Sequence, residues 1–173
     1  MMIRGEKIDL RPMKPDEVPI FYKWAIESGY WYSKDRKPSL DEFRADWKAY
    51  YFDGSAPEKG RCFMIEVNNV AIGVVAYNDI HYVHKRVELD IVIGNEEDCG
   101  KGYGTDALKT LVRYLFDKFD LNRIWIVARA NNPRSIRAYE KAGFIQEGVH
   151  REEDYFNGEF VDCVYYSIVF ITP

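Results

Sequence analysis

Two short stretches of this 173-residue chain place reactive residue types at a spacing that matters. The first is "CGKGYG", Cys99 to Gly104, in which Gly100, Gly102 and Gly104 alternate with Lys101 and Tyr103 just ahead of a helix-like pattern. A helix start presents unpaired N–H groups and a partial positive charge, so it attracts anions. Glycines let those amides approach a ligand with no Cβ in the way. Walker A spacing is absent, and G-x-G-x-G is not the dinucleotide pattern G-x-G-x-x-G. A bare tight turn therefore remains open as an alternative. The second stretch is "VELDIV". Side chains alternate along a strand, so Glu88 and Asp90 share one side and Val87, Leu89 and Ile91 the other, core-like side. Two carboxylates on a half-open face can hold a cationic amine or take its proton through water. His84 in "HYVHKRVE" is another titratable candidate, although lone histidines are more often structural or exposed. Cys99 has no base beside it in sequence to make it a nucleophile.

The elements that must position these groups follow from pattern and punctuation. "IDLRPM" reads as a strand, and Pro15 opens a helix to about Ile26. "SLDE" at Ser39–Glu42 is a capping-box pattern, predicting a second helix to about Tyr51. "RCFMIEV", the turn at Asn68 and Asn69, and "VAIGVVAYND" form a hairpin, with "RVELDIVI" the next strand. Leu108, Leu111, Val112, Leu115 and Phe116 recur at three–four spacing, giving a helix from about Thr105 to Phe119. "RIWIVARA" is a strand. In "NNPRSIRAYEKAG" Asn132 caps a helix, Pro133 takes its first position and Gly143 ends it. "FIQEGV" and "EFVDCVYYSIVF" are the final strands, joined near Asn157–Gly158. Strand–helix alternation flanked by hairpins predicts a mixed α/β sheet.

From Arg86 to Phe144 the order of strand, "CGKGYG" loop, helix, strand and "NNPRSIRAYEKAGF" resembles the GCN5-related N-acetyltransferases (GNAT). "IDLRP" and "EGVHREEDYFNGEFVDC" are similar to the branch holding ribosomal-protein N-terminal and spermidine acetyltransferases. The resemblance implies one GNAT domain over residues 1–173, built on a centrally splayed mixed sheet flanked by helices. It implies an enzyme that moves acetyl from acetyl-CoA to a primary amine (a protein N-terminus, a polyamine or an amino sugar) by direct attack, with a non-catalytic CoA-binding regulatory module as the alternative. The family loop is [QR]-x-x-G-x-[GA]; Cys99 replaces its Gln or Arg, at the expense of one polar contact. By the resemblance the CoA diphosphate meets the amides from Gly100 to Thr105, through Lys101, Gly102, Tyr103 and Gly104, while the pantetheine arm lies along Val92 and Ile93. Lys101 reads equally as a phosphate contact and as a solvated loop lysine. Asn132 falls at a cofactor-contacting position, though a plain cap also explains it. Asp106 reads as a helix-dipole partner.

Tyr139 matches the tyrosine that gives the family's departing thiolate its proton; its three-residue spacing from Ile136 also suits core packing. Glu88 matches an acidic position of the spermidine-type relatives and is the implied base or amine anchor. Trp24, Tyr30, Trp31 and Tyr32 form an aromatic cluster able to wall a cation site, or to be core or a dimer contact. The run Glu152–Asp154 reads as a solvated turn. Relatives are often dimers, so the resemblance also implies a homodimer.

Bulk composition agrees. Apolar residues are 47% and aromatics 16%, which suits a globular domain with a sizeable core. A net charge of −4 disfavours nucleic acid and accommodates a cationic acceptor, a small-molecule amine or a protein N-terminus. Cys62, Cys99 and Cys163 have no CxxC spacing, so neither a disulfide framework nor a metal site is expected. No apolar run long enough to span a bilayer and no signal-like start are seen, and a reducing cytoplasm is the expected home.

Overall fold

The computed structural model describes residues 1–29, 31, 32 and 36–170. Eight strands form one sheet in the order β1-β2-β3-β4-β5-β6-β8-β7. They are β1 (Ile3–Arg4), β2 (Asp9–Pro12), β3 (Gly60–Val67), β4 (Val70–His81), β5 (Arg86–Ile93), β6 (Arg123–Arg129), β7 (Ile145–Phe156) and β8 (Glu159–Val169). The helices are α1 (Val18–Ser28), α2 (Leu40–Asp46), α3 (Ala49–Asp53), α4 (Tyr103–Lys118) and α5 (Pro133–Ala142). Two turns hold the residues that hairpins need: Asn68 and Asn69 at φ 51° and 64°, and Asn157 and Gly158 at 53° and 87°.

The sheet divides the core. On one face Val87, Leu89, Leu108, Leu111 and Tyr139 bring β5, α4 and α5 together. On the other Phe21, Trp24, Phe43 and Tyr51 of α1–α3 cover Cys62, Met64, Ala76 and Val92. The alternation along β5 therefore falls as the sequence predicts.

The decisive feature is the parallel contact of β5 with β6. It has three pairs, Arg86 with Arg123, Val87 with Ile124 and Glu88 with Trp125, and then stops. Beyond Glu88 both strands continue, β5 paired only to β4 and β6 only to β8. The sheet forks there, so backbone groups of Leu89–Ile93 facing β6 are left for another partner.

Three expectations need correction. The single helix expected over 39–51 is two, because Trp47 (ψ 130°) and Lys48 (ψ 143°) are extended. That break seats the Trp47 ring among Phe21, Phe43 and Tyr51, with centroids 5.7, 5.8 and 4.9 Å away. Aromatic packing overrides helix propensity. The capping box itself is present, with Ser39 N–H donating to Glu42 at 2.7 Å and Glu42 N–H to Ser39 Oγ at 3.2 Å. Helix α4 starts at Tyr103, two residues ahead of the expected Thr105. Finally, Glu152–Asp154 lie within β7 rather than in a turn; a bulge shifts register between His150 and Asp154, with Glu152 at φ 50°. Bulges re-aim side chains, and this one matters below.

Candidate active site

A cavity of about 340 Å³ occupies the fork. Val92, Ile93 and Gly94 line one side, Val127, Ala128 and Arg129 the other, and α5 closes it with Asn132, Arg134, Ser135 and Tyr139. Trp24 closes it from α1, not from the acceptor side expected of the aromatic cluster. Its indole lies so close to Gly94 that a Cβ there would be 2.1 Å from the ring, so that position must be glycine.

The glycine loop leads into the same cavity, with Cys99 and Gly100 in its wall. Gly100 and Gly102 have φ +75° and +86°, a region that side chains disfavour, and a Cβ on Gly100 would meet nothing within 4 Å. That open space above a turn is what an incoming anion requires. Gly102 is the N-cap of α4, and the Asp106 amide closes the first turn onto the Gly102 carbonyl at 3.0 Å. Amides of Tyr103, Gly104 and Thr105 thus have no intrahelical acceptor. Lys101, Gly102, Tyr103, Gly104 and Thr105 are not in the wall of the cavity; they form the helix start at its outer end. Lys101 is half-exposed, 3.7 Å from the Asp98 carboxylate, with its ammonium 6.0 Å above the Tyr103 ring. Thr105 Oγ1 donates to the Ala138 carbonyl at 3.5 Å, tying α4 to α5. The Cys99 thiol points at the Asn95 carbonyl, 3.4 Å away.

Asp106 does more than complement the helix dipole. It is buried and accepts the amides of Lys7 and Ile8 at 2.6 and 3.1 Å, pinning the chain ahead of β2 onto the start of α4. Asn132 does cap α5, accepting the Ser135 amide at 3.2 Å. Arg134, which the sequence reading passed over, lies in the cavity wall and pairs with Glu96, one contact being 3.0 Å. The available signal was a cation in the first turn of a capped helix that faces a glycine loop.

Tyr139 is 3% exposed and its hydroxyl donates to the Val127 carbonyl at 3.3 Å. Burial, then the charge of Asp90, push this phenol well above its ordinary 10, so it stays protonated at neutral pH and acts as a donor.

A second cavity, of about 380 Å³, adjoins the first across Val127 and Arg129, which line both. Glu88 and Asp90 of β5, Glu153 and Asp154 of the bulged β7, and the rings of Trp31 and Tyr165 surround it. Arg129 ties its walls: the guanidinium pairs with Asp154 at 2.5 Å, donates to the Gly29 carbonyl, and stacks 4.0 Å from the Phe156 ring centroid. Glu153 accepts the Tyr165 hydroxyl at 2.6 Å and lies 3.2 Å from His150 Nδ1. Buried Asp90 accepts from the Asn78 amide. The Glu88 carboxylate has no hydrogen-bond partner among the described residues. Burial, then the neighbouring Asp90 charge, raise it from 4.5 to about 7. It can therefore gain and lose a proton near neutrality.

The structure thus brings Glu88, Tyr139, Val92, Ile93, Cys99, Gly100 and Asn132 to two adjoining cavities. His84 is not with them: it sits in the β4–β5 turn stacked on His81 at 4.4 Å and lines neither cavity. Trp31 lines the acidic cavity, Tyr32 packs 5.9 Å from Phe43, and Tyr30 lies outside the described residues.

Comparison with known proteins agrees with this geometry. The family model described as "Acetyltransferase (GNAT) domain" matches residues 7–145. A Bacillus subtilis (strain 168) protein provisionally named a ribosomal N-acetyltransferase is 29% identical over 174 residues, covering 95% of this chain and 92% of that protein. The spermidine N(1)-acetyltransferase of Vibrio cholerae is 29% identical over 134 residues, 77% of this chain and 74% of that one. A crystal structure of spermidine N-acetyltransferase from Vibrio cholerae with CoA and spermine superposes with TM-score 0.81 at 25% identity, covering 95% of this chain and 96% of that one.

Proposed function

The chain belongs to the GNAT acetyltransferase family, and from that premise we propose that Glu88 and Tyr139 serve its transfer of acetyl from acetyl-CoA to a cationic primary amine held in the acidic cavity. The activity itself, acetyl-CoA-dependent N-acetylation, is that of the family and of the relatives above. The carrying observation is the pair of cavities meeting at Val127 and Arg129, where the sheet forks.

The residues present fit acetyl-CoA. Gly100 leaves open space before the start of α4, whose free amides, with the Lys7 ammonium beside Gly102 and Arg134 in the cavity wall, suit a diphosphate. A charge-assisted hydrogen bond contributes about 1.5–3 kcal/mol, so a few amides suffice for anchoring. The unpaired edge of Leu89–Ile93, with Asn132 in the wall of the same cavity, suits the amides of the pantetheine arm. The bound donor supplies a thioester acyl group.

The chain's own residues then have two tasks. An acceptor amine must be neutral, and for a lysine-like amine with pKa ~10.4 that costs about 4–5 kcal/mol at pH 7. Glu88, with a pKa of about 7, takes this proton, while Asp90 and Glu153 hold the ammonium and any second cationic group. Four carboxylates against one guanidinium in the cavity support a polyamine or a basic peptide terminus over a neutral amine. Tyr139, protonated and beside the fork, gives a proton to the leaving sulfur.

The test is thiol release from acetyl-CoA with spermidine, a short basic peptide carrying a free N-terminus, and a neutral primary amine. Turnover with either cationic acceptor and little with the neutral one is expected; preference for the neutral amine would remove the role of the acidic cavity.

A further inference from the structure

Something must fix the distance between the two arms of the forked sheet. β5 and β6 pair for the last time at Glu88 and Trp125. Arg129 ends β6 four residues further on, about 13 Å along the opened strand at 3.3 Å per residue. The two strands share no ladder at that level, so side chains must set their spacing.

One guanidinium meets three elements there. Arg129 Nε donates to Asp154 of the β7 bulge at 2.5 Å. A terminal N–H donates to the carbonyl of Gly29, the cap of α1. The Phe156 ring lies with its centroid 4.0 Å from the guanidinium carbon, and the arginine side chain is only 11% exposed. Helix α1 packs through Phe21 and Trp24 on β3, β4 and β5. Arg129, Asp154 and Phe156 belong to the other arm, β6-β8-β7. The bond to Gly29 therefore crosses the fork, beside the acidic cavity that Arg129 lines. Gly29 is fitted to this contact: it has φ +61°, and a Cβ there would stand 2.7 Å from the Phe156 ring. Trp31, two residues on, walls the acidic cavity opposite Glu153 and Asp154. A carboxylate, a carbonyl and an aromatic face together suit a planar cation, and the chain fills that place with its own arginine.

We propose that Arg129 is a positioning residue: it clasps α1 to β7 across the fork and so holds the acceptor amine of the acidic cavity in line with the acyl group of the donor cavity. The inference rests on the acetyl-transfer reading above. Arg129 lines both cavities, and its hydrogen bonds are spent on Asp154 and Gly29, so it acts through the walls it joins.

The experiment is turnover with spermidine, or whichever amine the thiol-release assay identifies. Arg129→Ala should lower kcat about 10–10²-fold, the cost of a misplacement near 1 Å. The KM for the amine should not rise, since the freed Asp154 carboxylate stays in the cavity, and CoA affinity by calorimetry should hold within about twofold. A merely structural role would weaken both ligands together. Millimolar guanidinium chloride should restore kcat in a saturating manner, and sodium chloride at equal concentration should not. Wild-type kcat in Arg129→Ala, a raised amine KM with kcat kept, or a folded variant that ignores guanidinium overturns the proposal. Should Arg129→Ala not fold, Asp154→Asn should still lower kcat about 3–10-fold with CoA affinity unchanged, and wild-type kcat there overturns it equally. If the wild type turns over no amine, the transfer reading fails, and hydrogen exchange decides the clasp. The Gly29 amide, bonded to the Ile26 carbonyl at 3.2 Å, should then exchange faster in Arg129→Ala or Asp154→Asn than in the wild type; unchanged exchange overturns the proposal.

Discussion

Glu88→Gln separates the role of base from that of a charged neighbour. In the folded protein Glu88 sits near pH 7 instead of 4.5, because burial disfavours its charge and Asp90 repels it. Below pH 7 it is protonated and cannot accept the amine's proton, so wild-type kcat/KM should fall on the acid side with an inflection near 7. Glutamine keeps the shape and removes the proton site. We expect kcat/KM at pH 8 to drop about 10²–10⁴-fold and the inflection near 7 to vanish, leaving only the limb set by the amine's own ionisation. Stability provides an independent readout. A carboxyl whose pKa is raised on folding stabilises the folded state fully below about pH 4.5, and that stabilisation is lost as pH rises through about 7. The interval corresponds to about 3 kcal/mol, and partial solvent exposure reduces it to about 1–2 kcal/mol. Glu88→Gln should therefore raise the melting temperature by about 2–6 °C at pH 8 relative to wild type, and by far less at pH 4.5. Stopped assays of thiol release across pH 5.5–9.5 and thermal unfolding at both pH values test this. A Gln variant that keeps the inflection near 7 would refute Glu88 as the base, whatever its overall rate.

Tyr139→Phe removes the donor to Val127 and, on the proposed mechanism, the proton for the leaving sulfur; kcat should fall by about 10²-fold with CoA affinity by calorimetry unchanged, and stability by about 1 kcal/mol. Gly102→Ala forces a side chain into φ +86° at the cap of α4, so CoA should bind about tenfold more weakly and the protein should lose about 1–2 kcal/mol of stability. Gly94→Ala drives a methyl into the Trp24 indole; displacement of that ring should appear as altered tryptophan fluorescence and a loss of about 1–3 kcal/mol in chemical denaturation. Asp106→Ala strips the acceptor from the Lys7 and Ile8 amides, and about 2–4 kcal/mol should be lost in the same measurement.

The parts of this site that could be read from sequence are those set by local rules. Alternation along "VELDIVI" placed Glu88 and Asp90 opposite the α4 core, and turn chemistry placed both Asn-rich hairpins. Asn132, Pro133 and Gly143 bounded α5 because caps are local. What stayed hidden depends on contacts between distant segments. The α2–α3 break follows from where Trp47 finds aromatic neighbours, which no helical period records. Glu153 and Asp154 enter the acidic cavity through a bulge in β7, a two-residue excess over β8 that a hydrophobic pattern does not record. Trp24 and Trp31 are close in sequence, yet α1 directs Trp24 to the other cavity. Asp106 resembled any acidic residue in a first turn until the chain before β2 was seen to fold back onto it.

The place where coenzyme A binds is the most direct test. A crystal structure of the chain with CoA should place the diphosphate oxygens within about 3 Å of the amides between Gly100 and Thr105. The pantetheine arm should lie between β5 and β6, with the sulfur near the Tyr139 hydroxyl. A CoA molecule seated elsewhere, with the fork closed or filled by side chains, would contradict it.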